Sequence, residues 1–185
     1  MAKWQPLLLL IGTVGALAQP PTAPAPAQVF EDPRLTVRVL PRSPQQVAAF
    51  YEARGFPPAM RTLIMAQCFL TVRIHNTSQD VIWLDLADWR FVGVEGQILR
   101  RDRDWWKAQW RDMNAPLPSQ STFRWTLLPE QLDFRPDEAE GGNVTLIRTA
   151  APFRLEADFV IGAERGGEMI RMKLEGLHCA EDETP

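Results

Sequence analysis

A mainly β chain, folded as an antiparallel β-sandwich of immunoglobulin-like type with a helical hairpin inserted near the N-terminus and a short Trp-rich helix, is predicted by three observations. Alternating apolar and polar segments recur, turn formers separate them at near-regular spacing, and strands and helices nowhere alternate as a parallel sheet requires. The stretch that organises the rest is Gln67 to Phe91, QCFLTVRIHNTSQDVIWLDLADWRF. Cys68, Leu70, Val72 and Ile74 fall on one face of an extended strand, and Thr71, Arg73 and His75 on the other. Asn76 to Gln79 are turn formers, and Val81 to Leu84 is apolar on both faces. The pair reads as a β-hairpin whose second strand is deeply buried.

From the N-terminus, Lys3, the apolar run Leu7 to Ala18 and the small residues Ala16 and Ala18 read as a secretory signal peptide over residues 1–18, cleaved before Gln19. About twelve apolar residues are fewer than the roughly twenty of a membrane span. Gln19 stands where a bacterial lipoprotein would carry Cys, and no Arg pair precedes the apolar run. Residues 19–30, which open QPPTAPAPAQ, have no apolar periodicity and read as a Pro/Ala-rich flexible linker. A single domain over residues 31–180 and an acidic tail over 181–185 complete the chain.

Within the domain, Leu35, Val37 and Val39 alternate as a first strand that Pro41 ends. Ser43-Pro44 supplies an N-cap and a first-turn proline for a helix to about Arg54, with Gly55 as its stop and Val47, Phe50 and Tyr51 as its apolar face. Pro57-Pro58 opens a second helix with Met60, Leu63, Ile64 and Gln67 in one stripe. Trp89 to Val94 and Gln97 to Arg100 form two strands around Glu95-Gly96. On a helix from Arg101 to Met113, Trp106, Trp110 and Met113 share a stripe that Trp105 does not join, and Ala115 to Pro118 ends it. Phe123, Trp125 and Leu127 alternate as a further strand, closed by Pro129. After the acidic turn Pro136 to Gly142 come strands at Asn143 to Thr149, Phe153 to Ile161 and Glu168 to Leu177, the last two joined at Arg165-Gly166-Gly167.

Charge and cysteines narrow the compartment. The net charge is −3, one unit more negative once Lys3 leaves with the signal, so no basic excess recruits nucleic acid or anionic lipid. Cys68 and Cys179 are the two cysteines, and in an exported protein they are expected to form a disulfide. Cys179 has the wrong parity to lie on the face of Ile170, Met172 and Leu174, so the bridge requires an irregularity near Gly176.

Candidate chemistry is sparse. His75 and His178 are the only histidines, and no nucleophile elbow, zinc-protease helix, phosphate loop or dinucleotide fingerprint is present. The acidic pairs Asp102 and Asp104, and Asp137 and Glu138, have residue types suited to glycoside hydrolysis, but in segments where charge marks a solvated face. Met169, Met172 and His178 are soft ligands of a kind that copper takes, although opposite strand parity separates the two methionines. The sequons at Asn76 and Asn143 bear only on a glycosylating host. Trp105, Arg101 and Arg103 are left as the candidate recognition residues, since Trp and Arg anchor interfaces. The function expected is a secreted or periplasmic, non-catalytic accessory or binding domain of the bacterial envelope, without cofactor or membrane span, whose partner is another envelope protein. The rival readings are a copper-handling protein and a hydrolase using the acids near the tryptophans.

Overall fold

The structure, a computed structural model, describes residues 26–182. The expected signal peptide and cleavage site, most of the linker and the end of the acidic tail lie outside the described residues. Period-two alternation sorts the strands into two antiparallel sheets over one core. In the first, β3 (Gln67–Asn76) buries Cys68, Leu70, Val72 and Ile74 on the core side. It is flanked by β2 (Leu35–Arg42), with β1 (Gln28–Asp32) beyond it, and on the other side by β8 (Ala139–Ile147). The register pairs Val37 with Ile74, Val39 with Val72 and Leu70 with Val144, so the apolar residues of β2, β3 and β8 fall on one face.

The second sheet is built on β9 (Phe153–Ile161), with β10 (Glu168–Leu177) along one flank. On its other flank two short strands lie in line: β4 (Ile82–Asp85) pairs with Phe159 to Ile161, and β5 (Arg90–Gly93) with Arg154 to Glu156. A 3-10 turn, Leu86–Asp88, separates them, its first turn capped by the Asp85 carboxylate accepting from Ala87 N at 2.9 Å. Outside these lie β7 (Gln131–Phe134), paired with β4, and β6 (Gly96–Ile98), paired with β5. The inner faces meet in a core that joins Leu35, Val37, Leu70 and Ile74 to Leu84, Leu155, Phe159 and Met172, which is the sandwich expected.

The chain from β3 to β4 is not the expected hairpin: β3 belongs to the first sheet and β4 to the second, and the chain arches between them. The reason is Asn76, whose amide is fully buried and serves as the corner's hydrogen-bonding centre. Its Nδ2 donates to Asp80 O at 2.7 Å and Phe134 O at 2.9 Å, while its Oδ1 accepts from Ser78 N at 2.9 Å and Ser78 Oγ at 2.7 Å. A side chain that satisfies backbone groups inward lets the chain cross the core edge, where a two-strand turn would have kept both runs in one sheet.

Other boundaries also move. Strand β1 takes Gln28 to Phe30, the end of the expected linker, into the sheet, held at its turn by Asp32 accepting from Arg34 N at 2.9 Å. Pro41 does not stop β2, which pairs through Arg42 with Phe69. The β1 flank ends at the Gln28–Val39 pair, so Pro41 borders no strand there and its missing N–H costs no ladder bond. The acidic turn is partly strand, since β8 begins at Ala139, and β7 was not expected. Phe123 to Leu127 is not a strand but the last turn and C-cap of helix α4 (Leu117–Thr126), which is opened by Pro118 in its first turn. Ser119, Phe123 and Leu127 lie four apart and are buried, a helical spacing that the shorter alternation of Phe123, Trp125 and Leu127 conceals.

Four helices cover one end of the first sheet's outer face. Helix α1 (Pro44–Glu52) starts in a capping box of Ser43 and Gln46, and Gly55 follows at φ +73°. Helix α2 (Pro58–Met65) completes the expected hairpin, and α3 (Arg103–Asp112) starts at the Asp102 N-cap. Their apolar faces bring Val47, Tyr51, Met60, Ile64, Trp106, Trp110 and Phe123 around Phe69, the outward residue at the start of β3. Trp106 stacks on Trp110 at 4.9 Å, lies 4.5 Å from Phe123 and donates its Nε1 to Thr145 Oγ1 at 2.8 Å. The disulfide joins Cys68 to Cys179 with Cα atoms 5.2 Å apart. The expected irregularity is present: the β9–β10 register shifts between Leu174 and Leu177, with Gly176 at φ +68°.

Candidate functional site

The residues singled out from sequence do not assemble into one site. Trp105 is half-buried, edge-on to Trp106 at 4.8 Å, and the Arg101 guanidinium lies over its ring at 4.2 Å. Arg101 also donates from Nε to Gln67 Oε1 at 3.3 Å, and Arg103 donates from Nη2 to Leu127 O at 3.3 Å. Burial, with Arg124 nearby, lowers the pKa of Arg103, and Glu130 opposes that shift. The three side chains are thus tied into the joint between α3, β3 and α4.

The soft-ligand candidates are separated. Met172 is 2% exposed inside the sandwich, whereas Met169, of opposite parity, is 46% exposed outside it, and His178 lies in solvent past the bulge. Of the acids, Asp102 caps α3 by accepting from Trp105 N at 2.8 Å, and Asp104 is exposed. Asp137, at φ +64°, faces His75 Nε2 at 3.1 Å, and Glu138 accepts from Arg135 N at 2.8 Å. Among the described residues no three His, Cys, Asp or Glu side chains converge as metal ligands.

What the fold does form is an open cleft of about 400 Å³ where the helices stop short of the far end of the first sheet. Phe69 and Thr145 lie under the helices, whereas Thr71 and Asn143, the next outward pair along β3 and β8, form the floor. The cap at Ser43 fixes the start of α1, so that Val47 and Tyr51 point into the helical core and Gln46 and Phe50 stand at the wall. On the opposite wall stands Trp125, 85% exposed, held on α4 while Phe123 and Leu127 anchor that helix. Gly142 closes the floor against the Leu128 backbone, where a Cβ would overlap.

The floor is wired but not saturated. Arg42 donates from Nε to Thr71 Oγ1 at 2.9 Å, and that hydroxyl donates onward to Asn143 Oδ1 at 2.8 Å. The Tyr51 hydroxyl and Thr126 Oγ1 lie 2.6 Å apart, and Thr126 in turn donates to Phe123 O at 2.7 Å. Burial pushes the Tyr51 phenol up to about 12, against the smaller opposing effects of Thr126, Arg54 and Asn143. The phenol is therefore neutral at ordinary pH. Among the described residues, neither terminal nitrogen of Arg42 nor the Trp125 Nε1 has a partner. Aromatic walls with a few converging donors are the composition of a small-ligand or peptide site.

Sequence reasoning missed this site because it set Trp125 in a strand, where it would share a face with Phe123 and Leu127. The available signal was Pro118, a helix opener placed so that Ser119, Phe123 and Leu127 line one face and Trp125 another. No family model matches the chain, and no curated protein matches it. Among solved structures it is similar to the crystal structure of the candidate lipoprotein ycdA from Bacillus subtilis subsp. subtilis str. 168, at 12% identity and a TM-score of 0.41, with 80% of this chain and 38% of that chain covered.

Proposed function

We propose that this chain is an exported, non-catalytic binding domain of a bacterial envelope, and that its binding surface is the cleft between α1, α4 and the first sheet. Export is supported by the N-terminal signal pattern and by a disulfide that an oxidising compartment would maintain. The observation that carries the binding reading is Trp125. A large aromatic side chain is left in water across the cleft from Phe50, above a floor whose Arg42 terminal nitrogens have no partner among the described residues. Trp and Arg at a concave surface are the usual anchors of recognition.

The test has two arms. Fractionation of the native host should place the protein outside the cytoplasm, beginning at Gln19. Immobilised protein should capture a ligand from envelope extract that Trp125→Ala and Phe50→Ala each weaken at least about tenfold, as loss of an anchor does. Trp125→Ala should keep its stability within about 0.5 kcal/mol of the parent, because the side chain is solvated. Undiminished capture by both variants would refute the assignment of the cleft.

A further inference from the structure

We infer that the ligand of the cleft is an acidic peptide segment of a partner protein, held by Arg42 at the floor and by Arg38 and Arg73 on the bare sheet face beyond it; this rests on reading the cleft as the binding site. The first support is a pairing rule that one sheet keeps and the other breaks. On the outer face of the second sheet, charges opposite one another across strands differ in sign: Arg171 faces Asp158, and Lys173 and Arg90 flank Glu156. Arg90 and Arg154 both reach that carboxylate, at 3.1 Å and 2.8 Å. On the outer face of the first sheet Arg38 stands directly opposite Arg73, both exposed, and among the described residues the ion pairs of this sheet include neither. Like charges so placed destabilise a sheet. The chain as a whole is acidic, with a net charge of −3, yet no acid balances this pair, and an anion arriving from outside would relieve the repulsion.

Position ties the pair to the cleft. Arg42 donates from Nε to Thr71 Oγ1 at 2.9 Å, and Arg73 follows Thr71 by two residues on the same face of β3, about 7 Å further from the helices. Alternate side chains of an extended peptide have the same spacing, so Asp or Glu at every second position meets first the free end of Arg42 and then the Arg38–Arg73 pair. Gly141, the register partner of Arg73 on β8, lines the open end of the cleft and has no side chain to screen that arginine. Its backbone favours a peptide over other polyanions. Asn143 O, Thr145 O and Ile147 N turn away from β3, towards Leu128, Arg101 and Leu99, and Gly141 has the same parity; its N–H and C=O have no partner among the described residues. A peptide backbone brings both an acceptor and a donor to such a pair, whereas a phosphate polymer brings acceptors alone. The acids of this face, Glu31 opposite Thr36 and Asp137 against His75, lie one row further out and end the basic strip.

The experiment titrates the disulfide-bonded protein with oligoglutamate in a calorimeter, beside oligophosphate of the same length. Oligoglutamate should bind, more weakly as salt is raised, and Arg38→Gln, Arg42→Gln and Arg73→Gln should each weaken it about fivefold. Arg38→Gln and Arg73→Gln should melt at or above the parent temperature, because the opposed charges are gone, so their weaker binding would not reflect unfolding. No binding of oligoglutamate at millimolar concentration overturns the inference, as does binding that the three substitutions leave unchanged. Oligophosphate held more tightly than oligoglutamate through the same arginines also overturns it, in favour of a phosphate polymer. Capture from envelope extract distinguishes these failures from failure of the cleft. If Trp125→Ala and Phe50→Ala weaken capture and the arginine variants do not, the cleft remains the binding site and only the acidic ligand is refuted. If no variant weakens capture, both readings fall.

Discussion

Replacing Asn76 by Ala tests whether one buried amide holds the two sheets in their relative positions. The side chain makes four hydrogen bonds, two given and two received, at a corner where the residue is fully buried. Truncation leaves Ser78 Oγ and Asp80 O bonded to each other at 3.0 Å, but Ser78 N and Phe134 O lose their side-chain partner. At about 1–3 kcal/mol for each of the two buried groups so stranded, the loss should be about 2–6 kcal/mol, a large share of the roughly 5–15 kcal/mol that stabilises a domain. Asn76→Asp sharpens the test, since it keeps the shape and the acceptor but, when ionised, aims a carboxylate at two carbonyl oxygens. Its folded pKa would then be raised above the unfolded value, and this variant alone should regain stability as pH falls through that raised value, when the protonated acid recovers a donor. Urea unfolding followed by tryptophan fluorescence, with the disulfide intact, reads both variants. A loss below about 1 kcal/mol for Asn76→Ala at unchanged m-value would show that apolar packing alone sets the corner.

Three further perturbations address other parts of the molecule. Tyr51 is the only tyrosine, so phenolate absorbance reports it alone: in the folded protein it should ionise near 12, while the unfolded chain ionises near 10. Stability should therefore be unaffected below pH 10 and fall as pH rises from there to 12, by at most about 2.7 kcal/mol; a folded midpoint near 10 would contradict the burial argument. Replacing Cys68 and Cys179 together by Ser should cost about 4–5 kcal/mol, the loop-closure entropy for a separation of 111 residues, and a loss under 1 kcal/mol by chemical unfolding would count against it. Trp106→Ala should cost about 3–5 kcal/mol, and Trp105→Ala, half-buried, about 1–2 kcal/mol. Thermal unfolding separates them, and a Trp105→Ala protein of parental stability that no longer captures ligand would return recognition to the Arg101–Trp105 pair.

Strands with a solvated face were legible because side-chain parity is a local property: Phe153 to Ile161 and Glu168 to Leu177 were bounded as found, and the parity of Cys179 located the bulge at Gly176. Helix starts were legible where a cap and a proline coincide, as at Ser43-Pro44. Sheet membership was not, because it depends on which strands pair. The run from Asn76 to Gln79 looks the same whether it turns a hairpin or arches across a core, and only the burial of Asn76 distinguishes the two. Short strands β1 and β7 carry too few residues for a pattern. The site escaped for a related reason: Arg42, Phe50, Thr71 and Trp125 come from four different elements, and none is unusual in its own neighbourhood.

The bridge between Cys68 and Cys179 also sets an order of events. A chain that enters an oxidising compartment N-terminus first delivers Cys68 early, and the partner thiol arrives only after a further 111 residues. At synthesis rates of about 5–20 residues per second, that interval is roughly 6–20 seconds. During it the Cys68 thiol either becomes buried against β8 or stays open to mixed disulfides with whatever thiols are near. On the proposed export route, the yield of correctly bridged protein should therefore depend on how fast β8 covers β3, and supplying a thiol–disulfide isomerase should help most in variants that slow that step.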